Sequence, residues 1–424
     1  MVSTYLSFYS PKLSRNAEFR SMQRMKIAII REGKNPPDKR TPLTPGQCRL
    51  VMATFSGLEI KVQASPHRCF SDQEYRSEGI TVEEQITDCD ILLGVKEVPP
   101  DQLIPDKTYL FFSHTIKKQP HNRKLLQEVV KRNIRLIDYE CLTDEQGKRL
   151  IAFGRWAGIA GALEGLYAWG RRTGNLQIKR AVEYSDFASL QQDLKNKDVP
   201  AMRIAITGDG RVAGGAAEIM QLLGIKKLSA EDYLAENESQ QAVYTLLSPK
   251  DLYTHRSGKT FNLQEFFSEP QHFICDFSRY YRCTDLLINA LYWDPRAPRL
   301  FSLEEMSSPD FKIRTIADIS CDIGGSVPAT TRVTTIDQPV RGYDPQRRQE
   351  TEPFKPGCID IIAVDNLPNE LPRDASESFG EQMAGIVIPE LLRPESKIIE
   401  RATLTKDGHL TPRYAYLEDY LRGA

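Results

Sequence analysis

The strongest constraint on the fold is one short run, Arg203-Ile-Ala-Ile-Thr-Gly208-Asp-Gly210-Arg211-Val-Ala213-Gly214-Gly215-Ala216. Its first residues read as a strand, and the small and apolar residues continuing to Leu223 read as a helix. Gly208 permits a tight turn between them. Gly210 lets backbone approach a pyrophosphate, and Ala213 fills the small position where helix and strand pack. The free N–H groups at the helix start offer a partial positive charge to the phosphates. A purely structural turn is the plainer alternative. Strand and helix flank the glycines on the correct sides, so the run predicts a dinucleotide-binding βαβ unit.

The end of the following strand normally carries an acid for the adenosine ribose. Here the stretch reads Lys226-Lys227-Leu228-Ser229, with Ser229 in that place. NAD is the expected cofactor, with NADP as the alternative that the two lysines leave open.

The same alternation runs through the chain. Strands are expected at Lys26–Ile30, Glu59–Gln63, Ile91–Val95, Tyr109–Phe112 and Ile134–Asp138, with helices at Thr44–Phe55 and Pro120–Arg132. A second set opens near Phe153 with a helix over Trp156–Arg171, whose Gly158, Ala160, Gly161, Ala162 and Gly165 suit close packing. Strands follow at Met202–Thr207, Ala242–Leu247, His272–Phe277, Thr315–Ile319 and Ile359–Val364. A polar loop is expected around 341–357 and a helix from about Ala375 to Leu391.

A length of 424 residues suits two or three domains. The expected architecture is α/β, with two Rossmann-like lobes whose parallel sheets flank a central cleft. Residues 25–150 with about 330–424 form the expected substrate and catalytic lobe, and about 151–329 the dinucleotide lobe. Residues 1–24 read as a disordered extension, with a transit peptide or a start at Met25 as alternatives.

Composition removes several function classes. Lys plus Arg (56) balances Asp plus Glu (57), so no net field draws nucleic acid. The apolar stretch Phe153 to Gly170 is interrupted by Arg155 and Glu164, which argues against a membrane span. Eight cysteines, at 48, 69, 89, 141, 275, 283, 321 and 358, form no CxxC pair. They read as reduced thiols of a cytoplasmic protein, and without clustered Cys and His no metal is expected. Oligomeric state is not legible.

Four polar features stand near strand ends in the first lobe: Arg40 before the helix start at Thr44, Lys96-Glu97, His114 with Lys117, and Lys148-Arg149. Each alone reads as a surface residue. Together, two neighbouring strands deliver a lysine and a histidine, the types that acid–base work beside a hydride acceptor needs. A lysine base needs its usual pKa near 10.4 lowered, and three units correspond to roughly 4 kcal/mol. Arginine suits a dicarboxylate because its fork binds carboxylate in two places.

The motifs RTPLTP (40–45), GVKE (94–97), FFSHTIKKQ (111–119), LIDYE (136–140), AFGRWAGIAG (152–161), DISCDIGGS (318–326) and VDNLPNELPRDASESFG (364–380) make the chain resemble the saccharopine dehydrogenase and lysine–2-oxoglutarate reductase family, which is related to alanine dehydrogenase. The resemblance spans about Lys26 to Leu391. It implies NAD(P)-linked interconversion of saccharopine with lysine and 2-oxoglutarate.

By that resemblance Lys96 is the general base and His114 the acid–base group for imine hydrolysis. Arg40, Gln119, Arg149 and Phe153 contact saccharopine, with Ser320, Cys321 and Asp322 beside them. The nucleotide meets Lys148, Gly208, Gly210, Arg211, Ser229, Phe277, Ile319, Asp365, Asn366 and Leu367. Lys148, where a family arginine can stand, and Ser229 depart from the pattern. The rival readings are an alanine dehydrogenase-like enzyme and a non-catalytic nucleotide-binding redox sensor.

Overall fold

A computed structural model of the chain describes residues 25–236 and 240–423. They divide into two compact units, one running to Ala152 and resuming at Pro372, the other Phe153–Leu371. The extension expected over residues 1–24 lies outside the described residues.

In the first unit β1 (Met25–Ile29), β2 (Leu58–Gln63), β3 (Thr81–Glu83), β4 (Ile91–Leu93), β5 (Thr108–Phe111) and β6 (Arg135–Asp138) pair in parallel, in the order β6-β5-β4-β1-β2-β3. Ile27, Ala28, Ile29, Leu92 and Leu93 are wholly buried, as expected for strands covered on both faces. The helix Pro45–Thr54 starts where the sequence places it. Thr44 caps it in a reciprocal box with Gln47, and Pro45 supplies the preset first residue.

The second unit contains β7 (Arg203–Thr207), β8 (Lys226–Leu228), β9 (Val243–Leu247), the separate antiparallel ribbon β10 (Tyr253–His255) and β11 (Phe273–Cys275), then β12 (Leu286–Asn289), β13 (Thr315–Asp318), β14 (Val340–Asp344), β15 (Gln349–Thr351) and β16 (Ile359–Ile362). The sheet order is β15-β14-β16-β13-β12-β7-β9-β8, and only β14 runs against its neighbours.

Three expectations change here. Residues 330–371 belong to this unit, because the buried run Ile359–Ile362 pairs with β13 instead of joining the first lobe. The polar loop at 341–357 contains the β14–β15 hairpin, whose buried Arg341 is neutralised by Glu350 at 3.1 Å. The strand expected at 272–277 shrinks to β11 and stays outside the main sheet. Unexpected β12, only four residues long, occupies the middle of the sheet.

The helix Gly154–Thr173 lies against the helix Arg211–Leu222. A Cβ on Gly158 would stand 1.9 Å from the Val212 carbonyl oxygen, and one on Gly215 would stand 2.0 Å from that of Arg155. The two backbones therefore touch, which explains the run of small residues. On the second helix the tight contact falls on Gly215, two residues beyond Ala213.

The chain returns to the first unit through the helix Pro372–Gln382, a π-turn at Met383–Val387 and a last turn Ile388–Leu391. Strand β17 (Thr403–Lys406) then adds antiparallel to β6, and β18 (His409–Leu410) forms the edge.

Candidate active site

In the first unit the polar features gather at the carboxyl ends of β1, β4, β5 and β6, four consecutive neighbours in the sheet. Ligands of α/β sheets bind at such ends. Three residues past β1, Glu32 spans the turn after β4, accepting from the N–H groups of Val95 (2.6 Å) and Lys96 (2.9 Å). That clamp orients the segment carrying Lys96 and Glu97. Burial and the charge of Asp38 push the Glu32 carboxyl up, against those hydrogen bonds and Arg40.

His114 stands two residues past Phe112 in the left-handed region at φ 52°, an arrangement that costs energy for a non-glycine residue. Its neighbours hold it there. Ser113 bonds through N–H and hydroxyl to the buried Asp138 carboxylate, and Thr115 meets the Ser113 hydroxyl at 2.8 Å. The imidazole stacks on Phe112, and its Nδ1 bonds to Glu97. Burial works to raise the Glu97 carboxyl, but His114, Lys96 and Lys34 outweigh it and hold it at about 2. The resulting pair fixes the ring through Nδ1.

Arg40 is 4% exposed and grips Asp38 through Nε (3.0 Å) and Nη2 (2.6 Å). Burial opposes the Asp38 charge, but Arg40 prevails and lowers its pKa. The fork expected on a substrate is thus engaged beneath the surface. Arg149 is exposed and held by Glu140 at 3.1 Å, on a hairpin closed between Thr143 and Arg149. Lys148 and Gln119 are exposed as well.

The sequence missed Glu32, Asp38, Asp138 and Glu140. Glu32 and Asp38 lie three and nine residues past the end of β1, while Asp138 closes β6 and Glu140 stands two residues beyond it, so only the strand register could have marked them. The helix Pro372–Gln382 supports the cluster: Ser376 accepts from the Thr41 N–H (2.9 Å), and the Phe379 ring meets those of Phe112 and Tyr139.

In the second unit Gly208 and Gly210, Ile319, and Asp365 with Asn366, all expected to meet the nucleotide, follow the carboxyl ends of β7, β13 and β16. Gly208 has φ 96°, and a Cβ there would lie 2.7 Å from the Ala290 carbonyl. A Cβ on Gly210 would meet nothing within 4 Å, and no side chain caps the twelve-residue helix that follows. Open N–H groups at an uncapped helix start fit a pyrophosphate. Arg211 begins that helix and is exposed.

Ile319, Ser320, Cys321 and Asp322 follow β13, with the Ser320 hydroxyl bonded to the Leu291 carbonyl at 2.6 Å. Asp365 and Asn366 follow β16 at the surface, while Leu367 is buried. Phe153 caps the helix Gly154–Thr173 and is 8% exposed.

The side chains of Phe277 and Ser229 are engaged within the unit. Phe277 is wholly buried among Tyr280, Tyr281 and Phe301, so its ring offers no surface to a ligand. Ser229 does end β8, but it caps the next helix: its Oγ accepts from the Asp232 N–H (3.0 Å) and donates to the Asp232 carboxylate (2.7 Å).

Two eight-stranded, mostly parallel sheets flanked by helices define a Rossmann-like α/β protein. A solved L-alanine dehydrogenase aligns over 94% of this chain and 100% of its own, with a TM-score of 0.63 at 18% identity. Residues 28–160 match the family described as alanine dehydrogenase/PNT, N-terminal domain.

The mitochondrial alpha-aminoadipic semialdehyde synthase of Rattus norvegicus is 31% identical, covering 92% of this chain and 47% of that protein. The saccharopine dehydrogenase [NAD(+), L-lysine-forming] of Emericella nidulans is 24% identical, covering 86% and 91%. The chain belongs to the saccharopine dehydrogenase and alanine dehydrogenase-related family. It spans about half the length of the synthases it matches. Among the described residues no helix is long and apolar enough to cross a membrane.

Proposed function

We propose that the chain is a nicotinamide-linked amino-acid dehydrogenase acting on a CH–NH bond, and that its reaction interconverts saccharopine with L-lysine and 2-oxoglutarate in the lysine-forming sense of the fungal relatives. The single observation that carries this reading is the delivery of Lys96 and the Glu97-held His114 by adjacent parallel strands, in a chain whose other sheet carries an open glycine turn.

A nicotinamide nucleotide, when bound, would supply the two-electron hydride acceptor. Lys96 takes the proton from the secondary amine as the C–H electron pair leaves, giving an imine. His114 moves protons between water and nitrogen while water adds to the imine carbon, and the C–N bond then breaks to release amine and keto acid. Glu97 keeps the imidazole oriented, and Arg149 binds a substrate carboxylate. Gly208, Gly210, Arg211, Asp365 and Asn366 hold the cofactor.

NAD is the favoured cofactor. Asp232, in the first turn of the helix after β8, would repel a ribose phosphate and accept from a ribose hydroxyl. The reading is tested by following NADH and NADPH absorbance with lysine plus 2-oxoglutarate, and separately with pyruvate plus ammonia. Oxidation of NADH with lysine and 2-oxoglutarate supports it. Turnover with pyruvate and ammonia alone would move the assignment to the alanine dehydrogenase branch, and cofactor binding without turnover would make the chain a sensor.

A further inference from the structure

The ribbon β10–β11 of the second unit takes no part in the sites described above. His255 ends β10 and pairs with Phe273 of β11, so the register brings His272 alongside. The Arg256 N–H donates to the His272 carbonyl at 2.9 Å and fixes that placement. Glu265 arrives from the short helix Leu263–Ser268. One ligand atom each from His255, Glu265 and His272 lies within 4.8 Å of the other two.

The state of His255 points to a ligand. Its side chain is 9% exposed, and its ring is wedged edge-on to Phe273 and His272 at 5.1 and 6.0 Å. Ser257 holds Nδ1, with its Oγ 2.7 Å away and its N at 3.1 Å. The opposite nitrogen, Nε2, is buried and makes no hydrogen bond, although Glu265 Oε1 lies 3.3 Å away. Leaving a buried ring nitrogen so is unfavourable. A simple ion pair accounts for Glu265 but not for the convergence of His272.

The 3.3 Å between His255 Nε2 and Glu265 Oε1 suits two ligands of one metal ion. With bonds of about 2.0 Å, neighbouring ligand atoms of a tetrahedral zinc site lie roughly 3.3 Å apart. His272 Nδ1 bonds to Glu269 at 2.9 Å, the outer carboxylate that commonly orients a metal-binding imidazole.

We propose that His255, Glu265 and His272 bind a divalent transition-metal ion of zinc-like chemistry, which clamps the 256–272 excursion of the ribbon. Two imidazoles and one carboxylate are a donor set for a borderline cation. In the structure Nδ1 accepts from the Ser257 N–H, so metal binding at Nε2 moves the ring proton to Nδ1, which then donates to Ser257 Oγ in place of that acceptance. The site is structural and separate from the strand ends that hold the cofactor residues.

The test uses the full chain stripped with a chelator. Zn²⁺ is titrated against a chromophoric competitor and Co²⁺ by visible absorption. One equivalent should bind, with d–d bands and without the thiolate charge-transfer band that cysteine ligation would give. Glu265→Gln and His272→Ala should each weaken binding at least tenfold and abolish the rise in Tm on adding Zn²⁺. His272 is exposed, so that variant keeps its fold. Binding well below one equivalent, a thiolate band, or equal affinity in the parent and both variants (an adventitious ion only) would overturn the proposal.

Discussion

Glu97 and His114 share a hydrogen bond that each needs for a different reason. The imidazole gains a fixed orientation, and the carboxylate gains the partner that keeps it charged despite burial. A carboxyl held at about 2 against an ordinary value of 4.5 contributes stability that is fully present above pH 4.5 and is lost as pH falls toward 2. Glu97→Gln removes that contribution. The gap in Tm between parent and variant should be widest near pH 7 and should close toward pH 2. A gap independent of pH would show that the carboxylate charge is not what stabilises the pair. Turnover of the same variant should fall by roughly tenfold or more, since an unfixed acid–base group loses part of its effect.

Gly208 is constrained twice over, by its positive φ and by the Ala290 carbonyl. Gly208→Ala should destabilise the second unit by about 1–3 kcal/mol, read from chemical denaturation, and weaken cofactor binding in parallel. Unchanged stability would mean that the turn can rearrange.

The helix pair Gly154–Thr173 and Arg211–Leu222 shows how element packing depends on a missing atom. Gly158→Ala gains up to about 1 kcal/mol of helix propensity. Against this, the new methyl enters space occupied by backbone, and overpacking of that kind costs about 1–3 kcal/mol. The steric cost should win, so Tm should fall by several degrees. A raised Tm would show that the helices separate freely.

This contact was legible, because small residues recurring along an apolar helix have few other uses. The strands β1, β2, β5, β7, β9 and β13 were legible too, being β-rich apolar runs bounded by turns. Strand β12 was not, because Leu286–Asn289 is too short to outweigh its neighbours without the sheet around it. Neither was the β14–β15 hairpin, whose polar edge residues read as loop. Lys96 and His114 stood out as chemistry-bearing residues at strand ends. Glu32 and Asp138 did not, because their roles are hydrogen bonds across 63 and 25 residues of sequence. His255, Glu265 and His272 follow no metal-ligand spacing, and only the ribbon register joins them.

At the scale of the whole molecule, both passages between units fall inside family motifs. The first lies at Ala152–Phe153 in AFGRWAGIAG, the second at Leu371–Pro372 in VDNLPNELPRDASESFG. Residues 364–371 thus include the positions proposed to hold the cofactor, while Ser376 and Phe379 of residues 372–380 contact Thr41 and Phe112 of the proposed acid–base lobe. The long motif serves both units, which accounts for its length better than any single site would.

The division of labour between the units is tested most directly by Lys96→Met, with turnover followed by lysine- and 2-oxoglutarate-dependent NADH oxidation and cofactor affinity by NADH fluorescence titration. Losing the base should lower kcat by roughly 10²–10⁴-fold while the NADH Kd stays within about twofold, since the change lies outside the unit that carries the glycine turn. A variant that turns over as fast as the parent, or that loses NADH binding along with activity, would contradict the assignment of Lys96 as the base.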